Sequence, residues 1–116
     1  MLIDTHAHLD FEQFDPDRKK VIMDAYQAGV KKIINVGADL ESSRNSVALA
    51  EEYEFIYASV GVHPHEAKGF TEGSYQELKK LATNNDQVVA IGEIGLDYYY
   101  DNSPRAKQRE VFKQQL

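Results

Sequence analysis

The sequence contains no cysteine and no tryptophan. Without thiols, both a disulfide framework and thiolate metal ligands are excluded, so any metal must be bound by histidine, aspartate or glutamate. No apolar stretch approaches the roughly 20 residues that cross a bilayer. The first residues are acidic and histidine-containing, unlike the basic start of a leader peptide. These absences predict a soluble, cytoplasmic protein with no membrane partner.

An excess of basic residues is also missing. Lys and Arg number 13 against 19 Asp and Glu, for a net charge of -6. A generally basic surface for nucleic acid is therefore excluded, and DNA or RNA would have to bind at a local patch or through bound cations. The 116 residues, 42% of them hydrophobic, are enough for one domain with a real core.

Apolar runs of strand character alternate with segments of helical periodicity along the whole chain. The strands recur about every 25 to 32 residues, the spacing of βαβ crossovers and therefore of a parallel sheet. Helix starts are indicated by Asp15-Pro16 and Ser103-Pro104, and Gly29 is a typical helix stop. The predicted strands are Leu2–Thr5, Lys31–Gly37, Phe55–Val62 and Val88–Ile94, and the predicted helices are 16–28, Glu41–Tyr53, Ser74–Thr83 and a fourth beginning near Pro104.

Four such units fit either a small open doubly wound sheet or the first half of a (β/α)8 barrel, which typically has about 250 residues. Polar side chains at the carboxyl ends of the strands favour the barrel, because barrel enzymes place their chemistry there. The predicted fold is therefore α/β, a parallel-sheet half-barrel, with residues 1–116 as one partial TIM-barrel domain. The chain stops at Lys113–Leu116 inside a predicted helix without a stop signal, which favours truncation.

Two histidines one residue apart follow the first strand. Side chains alternate along a strand, so His6 and His8 project to the same face and can converge on one ion. Glu93 lies in an apolar segment, where a buried carboxylate needs a partner. We predict His6, His8 and Glu93 as metal ligands, with Glu93 the catalytic carboxylate of a two-metal site suited to phosphoryl displacement. The alternatives are ion pairing for the histidines and a helix-capping or ionic role for Glu93.

Further candidates follow the third and fourth strands. His63 and His65 flank Pro64, where they are expected to contact a substrate phosphate rather than a metal, and unliganded loop histidines are the alternative. Arg105 is a candidate to neutralise phosphate, and Asp97 to orient a ligand histidine or water. Surface ion pairing would explain either residue equally well. The adjacent tyrosines 98–100 could stack on a base or simply cover a helix end.

Three ordered segments carry a family resemblance. Ile3–Asp10, Gly61–His65 and Ala90–Tyr98 resemble the signature segments of the TatD family of metal-dependent deoxyribonucleases, which are amidohydrolase-like TIM barrels. The resemblance covers all 116 residues. It implies hydrolysis of DNA phosphodiester bonds by a metal-activated water, with two divalent ions (Mg, Mn or Zn) in the complete site. By the same resemblance, His6 and His8 would bind one ion and Glu93 would bridge.

Family members also supply two later histidines and a late aspartate, and no histidine follows Glu93 here. The isolated chain is therefore expected to lack the full site. Two other functions stay open: a different amidohydrolase-like activity, on an amide, lactone or phosphotriester, and a non-catalytic half-barrel that binds metal or partners. Unpaired outer strands would favour self-association, so a homo-oligomer is a candidate partner besides DNA.

Overall fold

The computed structural model describes residues 1–116, in which strands and helices alternate. The four strands pair in parallel in chain order, each with the next, as expected when each connection is a helical crossover. The parallel α/β arrangement predicted from the sequence is thus confirmed. The elements are β1 (Leu2–Ala7), α1 (Arg18–Gln27), β2 (Val30–Val36), α2 (Leu40–Glu52), β3 (Ile56–Val60), α3 (Glu72–Asn84), β4 (Val88–Ile91) and α4 (Arg105–Gln115), with short 3-10 helices at Glu12–Phe14 and Pro64–Gly69.

Side-chain caps set where the helices begin. Asp39 accepts the backbone N–H of Ser42 and begins α2, and Thr71 accepts that of Ser74 and begins α3. The prediction that the third helix starts at Ser74 was therefore two residues late. The first helix was predicted two residues too early, because the Asp15 carboxylate binds the Arg18 guanidinium instead of capping a helix.

The fourth strand is shorter than predicted. It ends at Ile91, so Glu93 lies beyond the strand and not within it. The reason is that the backbone leaves the ladder after Ile91: Gly92 still donates its N–H to the Val60 carbonyl, but Glu93 donates to the Gly37 carbonyl, 2.7 Å away. Glu93 is thereby directed across the end of the sheet, towards the segment that follows β2.

The hydrophobic core lies between the two middle strands and the helices α2 and α3. Its members share near-complete burial, and they include Ile22, Ile33, Val47, Ile56, Val60 and Leu78. The outer strands are much less covered: Leu2 is 64% exposed in β1 and Val89 50% exposed in β4. Each outer strand also has only one neighbour, so one edge of each is free. None of the helices has the length and apolar character needed to cross a membrane.

The sheet is strongly curved. In a flat parallel sheet with strands about 4.8 Å apart, β1 and β4 would be separated by about 14 Å. Yet His6, in β1, has its Nε2 only 3.6 Å from Glu93 Oε2, just beyond β4. Gly61 permits the close approach on the inner side of this curve, because a Cβ there would lie 2.9 Å from the Gly92 carbonyl carbon.

Candidate metal centre

The two histidines at the end of β1 present their Nε2 atoms to each other. His8 Nδ1 lies 3.0 Å from the Val36 carbonyl oxygen, and since a carbonyl only accepts, Nδ1 carries the proton. The neutral ring therefore has a free lone pair on Nε2, which lies 3.2 Å from His6 Nε2. The His8 ring is stacked on Phe11, with ring centroids 4.7 Å apart. These contacts orient His8 as a metal ligand before any ion arrives.

Glu93 is brought to the histidines by backbone contacts rather than by its own side chain. The Ser59 hydroxyl donates to the Gly92 carbonyl at 2.7 Å, and the Glu93 N–H donates to the Gly37 carbonyl at 2.7 Å. The carboxylate lies between two imidazoles, with Oε2 3.6 Å from His6 Nε2 and Oε1 3.7 Å from His63 Nε2. Its two oxygens thus face different histidines.

His6, His8 and Glu93, predicted from the sequence as metal ligands, lie together as one candidate ligand group. Their ligand atoms all lie within 4.8 Å of one another. Nitrogen ligands about 2.0–2.1 Å from a tetrahedrally coordinated ion lie about 3.4 Å apart. This value is close to the 3.2 Å between the two histidine Nε2 atoms and to the 3.6 Å between His6 Nε2 and Glu93 Oε2. Two neutral imidazoles and one carboxylate are a suitable donor set for a divalent ion. Three protein ligands also leave coordination positions open, and the His6 side chain is 55% exposed, so solvent and substrate can reach the group.

His63 faces this group with a hydrogen rather than a lone pair. Its Nδ1 accepts the backbone N–H of His65 at 3.0 Å, so the neutral ring carries its proton on Nε2, the atom nearest Glu93. Burial lowers the pKa of His63, although the nearby Glu93 carboxylate opposes the shift. The ring is therefore a neutral N–H donor at neutral pH. A donor of this kind suits a phosphate oxygen better than a cation.

His65 is turned away from the ligand group. Its Nε2 hydrogen-bonds the Asp97 carboxylate, which also accepts the backbone N–H groups of Tyr99 and Tyr100 at 3.0 and 3.1 Å. The Tyr100 N–H and the His65 ring hold the pKa of Asp97 below its usual range, so this carboxylate is ionised at neutral pH. Asp97 thus orients a histidine, as the sequence suggested, but that histidine is His65 and neither of the two in the ligand group.

Arg105 is not brought to the ligand group. It lies at the start of α4, where its guanidinium donates to both carboxylate oxygens of Asp101 at 2.9 and 2.8 Å and covers the Tyr98 ring. Its predicted phosphate contact stays a prediction, with no contact in the structure to support it.

A buried amide network behind β1 was not identified from the sequence. Asn35 is fully buried: its side chain accepts the Leu9 N–H at 2.6 Å and donates to Asp10 Oδ1 and Ser46 Oγ, both at 2.8 Å. The backbone that follows His8 is thereby fixed to β2. The signal that could have revealed this role is an asparagine inside the apolar strand Val30–Val36, since a buried amide requires partners.

Two buried glutamines of α4 hold the segments that carry the other site residues. Gln108 accepts from the Asp97 N–H at 2.8 Å and donates to the Asp97 carbonyl at 3.1 Å. Gln115 pairs in the same way with both backbone groups of Val62, next to His63, at 2.7 and 3.1 Å. Each amide therefore acts as a backbone partner would in a sheet. Two glutamines seven positions apart on one helix face were the available signal.

Comparisons with known proteins identify the family of the chain. The model of the family described as TatD related DNase matches residues 3–116. An uncharacterized metal-dependent hydrolase of Bacillus subtilis (strain 168), YabD, is 46% identical over 116 residues, which are 100% of this chain and 45% of that protein. The 3'-5' ssDNA/RNA exonuclease TatD of Cronobacter sakazakii is 39% identical over 115 residues, 99% of this chain and 43% of that protein. The chain thus spans less than half the length of these relatives.

A solved structure shows the same architecture. The crystal structure of YjjV, the TatD homologue of Escherichia coli K12, superposes with a TM-score of 0.87 at 36% identity. The match covers 98% of this chain and 44% of YjjV. The half-barrel predicted from the sequence is confirmed as a partial TIM barrel of this kind.

Proposed function

Because the chain belongs to the TatD-related DNase family, we propose that it supplies the metal ligands of a metal-dependent deoxyribonuclease. We also propose that it supplies a hydrogen-bond donor to the substrate phosphate. The observation that carries this proposal is the convergence of His6, His8 and Glu93, whose ligand atoms lie within 4.8 Å of one another. The name of the Cronobacter relative, an exonuclease of single-stranded DNA and RNA, supports a nucleic-acid substrate.

Each residue of the centre has a distinct part in this proposal. A bound divalent cation (Mg, Mn or Zn) supplies a Lewis acid and activates water for attack on phosphorus. His6 and His8 would hold the cation through Nε2, and the Glu93 carboxylate would supply an oxygen ligand. With two ions per complete site, Glu93 would be the bridging ligand, which is the catalytic part assigned to it here.

The substrate phosphate is oriented by the chain itself. His63 donates its Nε2–H to a phosphate oxygen beside Glu93, since its Nδ1 is already occupied by the His65 N–H. His65, held by Asp97, keeps this loop in place. Direct phosphate contacts from His65 and Arg105 remain predictions.

Metal binding is tested with Glu93→Gln. Titration calorimetry with Mn²⁺ should show saturable binding to the wild-type chain and a large loss of affinity in the variant, because the amide carries no negative charge. Glu54→Gln is the control, since Glu54 is exposed at the other end of the sheet, before β3. Equal affinity in Glu93→Gln and the wild type would contradict the assignment.

Hydrolysis is tested on the same samples. Shortening of a 5'-labelled single-stranded oligonucleotide that requires Mn²⁺ or Mg²⁺ and is absent in EDTA would support the nuclease proposal, although the isolated chain lacks the later histidines and aspartate that the family resemblance implies. Cleavage of an amide, lactone or phosphotriester, with none of DNA, would instead favour another amidohydrolase-like activity. A chain that binds metal but hydrolyses none of these substrates would favour the non-catalytic half-barrel.

Self-association is a second candidate that one observation favours. Both outer strands have a free edge, and Leu2, Ile3, Val89 and Ile91 on them are exposed. Two copies could pair these edges. Sedimentation equilibrium should then give twice the chain mass of 13.2 kDa, and a folded monomer at high concentration would contradict the pairing. A cytoplasmic location likewise remains a prediction.

A further inference from the structure

Two large aromatic side chains near the metal centre are exposed to solvent. Tyr99 is 87% exposed and Tyr100 is 65% exposed, in the segment between β4 and α4. Tyrosine side chains usually bury much of their ring, so two adjacent rings left in water are informative. The mechanism proposed above does not use either of them.

An unbroken run of rings links these tyrosines to the metal centre. His63 Nε2 lies 3.7 Å from Glu93 Oε1, and the His63 and His65 ring centroids are 4.2 Å apart. The His65 ring contacts the Tyr100 ring edge-on at 5.7 Å, and Tyr100 contacts Tyr99 at 4.8 Å. The exposed Tyr99 ring is therefore the outer end of a row that starts at the ligand group.

The tyrosine segment is held in place before any ligand binds. The Asp97 carboxylate accepts the backbone N–H groups of both Tyr99 and Tyr100, and Gln108 holds both backbone groups of Asp97. Tyr100 also supports Tyr99 through a perpendicular ring contact, at an interplanar angle of 89°. Little conformational entropy therefore needs to be lost when a flat ring stacks on Tyr99.

Positive charge accompanies the tyrosines, although the chain as a whole is acidic. Lys68 Nζ donates to the Asn102 carbonyl and Arg109 Nη1 donates to the Tyr98 hydroxyl, and neither cation is in an ion pair. Arg105 is neutralised by Asp101. These two cations contact Asn102 and Tyr98, on either side of the exposed tyrosines, and they match a ligand made of flat bases joined by phosphates.

We propose that Tyr99, supported by Tyr100, is a stacking surface for a nucleobase of single-stranded nucleic acid whose phosphate lies at the metal centre. The inference rests on the proposed nuclease function and adds the residue on which a base of a single-stranded substrate would lie. Bases in a duplex are already stacked on their neighbours and cannot lie on an external ring, whereas an unpaired base can. Every base has a π-face, so this contact favours no particular sequence.

Binding of a single strand by Tyr99 variants tests the inference. The probe is a fluorescein-labelled oligo(dT) with phosphorothioate linkages, which resists cleavage, titrated with the full chain in Mg²⁺ and followed by anisotropy. Tyr99→Ala should bind about 5- to 150-fold more weakly, the value of one base stacked on an aromatic ring. Tyr99→Phe keeps the ring and should bind as the wild type does. Tyr100→Ala should show a smaller loss, since it removes only the support.

An abasic strand of the same length is the matched ligand control. It keeps the phosphates but has no base to stack, so the wild type and Tyr99→Ala should bind it equally. The chain has 7 tyrosines and no tryptophan, so stacking should also quench its tyrosine emission with oligo(dT) and not with the abasic strand. Circular dichroism of each variant checks that the fold is retained.

The outcomes separate this inference from the proposed function. Equal oligo(dT) affinity in Tyr99→Ala and the wild type, with metal-dependent hydrolysis intact, would overturn the stacking surface and leave the nuclease proposal standing. Binding that depends on Tyr99, without hydrolysis of DNA, would support the stacking surface and show that the isolated chain has no nuclease activity. Absence of any binding of oligo(dT) by the wild type would overturn the stacking surface.

Discussion

The middle and the outer strands of the sheet have different functions. Residues of β2 and β3 are mostly buried and contribute none of the three candidate metal ligands. The candidate ligands lie at or just beyond the ends of β1 and β4, whose residues are mostly exposed. The middle of the sheet therefore supplies packing energy, and the outer strands present polar groups to solvent.

The two regions are nevertheless connected at the carboxyl end of the sheet. His8 donates to the Val36 carbonyl at the end of β2, and the Glu93 N–H donates to the Gly37 carbonyl one residue later. Ligands on weakly packed strands are thus positioned by hydrogen bonds to the strongly packed ones. Substitutions in the outer strands should therefore change metal binding with little effect on stability, while substitutions in the middle strands should change both metal binding and stability.

His6→Ala should weaken metal binding strongly without destabilising the fold. The side chain is exposed and makes no core contact, so the free energy of unfolding without metal should change by less than about 0.5 kcal/mol. Metal affinity should fall more than about 100-fold, beyond the loss expected for a residue that only supports a ligand. Calorimetric titration with Mn²⁺ and urea unfolding in EDTA measure the two effects. A clearly larger loss of unfolding free energy would show that packing of the outer strand also stabilises the fold.

Asn35→Ala should lower both the stability of the fold and the affinity for metal. Removing this buried amide leaves the Leu9 N–H and the Ser46 hydroxyl with one partner fewer, at a cost of about 1–3 kcal/mol in unfolding free energy. The loop after His8 should loosen and lower metal affinity. Asn45→Ala, on the exposed face of α2, is the matched control and should change neither quantity. Full metal affinity in Asn35→Ala would show that the His8 contact to Val36 suffices.

Gly61→Ala should separate β3 from the Glu93 segment. The added Cβ would lie 2.9 Å from the Gly92 carbonyl carbon and from Ile94 Cγ2, an overlap that costs about 1–3 kcal/mol. Gly73→Ala is the control, because a Cβ there meets only Thr71 Oγ1 at 3.4 Å and helix formation favours alanine. Thermal unfolding of the pair measures the difference. Equal melting temperatures would mean that the curved end of the sheet can relax.

The smallest effect concerns the acid stability of the Asp97 segment. The pKa of Asp97 is lower in the folded chain than its ordinary value of 3.8, so its ionised form stabilises the fold at neutral pH. That contribution is present above pH 3.8 and is lost as the pH falls below it towards the folded pKa. Asp97→Asn should thus be less stable than the wild type at pH 7, with the difference shrinking below pH 3.8. A difference independent of pH in urea unfolding would contradict this linkage.

Much of the site could be predicted because it depends on local pattern. The alternation of a strand places His6 and His8 on one face, and parallel strands end at one edge, so Glu93 was expected near them. The partners of His65 and Arg105 could not be predicted in this way. Asp97 and Asp101 are both carboxylates in one loop, and which histidine or arginine each one meets depends on how that loop folds back.

The sequence by itself determined the order of strands and helices and the parallel sheet, and it predicted His6, His8 and Glu93 as metal ligands, because these follow from periodicity and residue chemistry along short segments. Only the tertiary structure decided the curvature that brings β1 to the end of β4, the tautomers of His8 and His63, and the support by Asn35, Gln108 and Gln115. Those features depend on contacts between segments far apart in the chain, whose approach is set by the packing of the whole sheet against its helices.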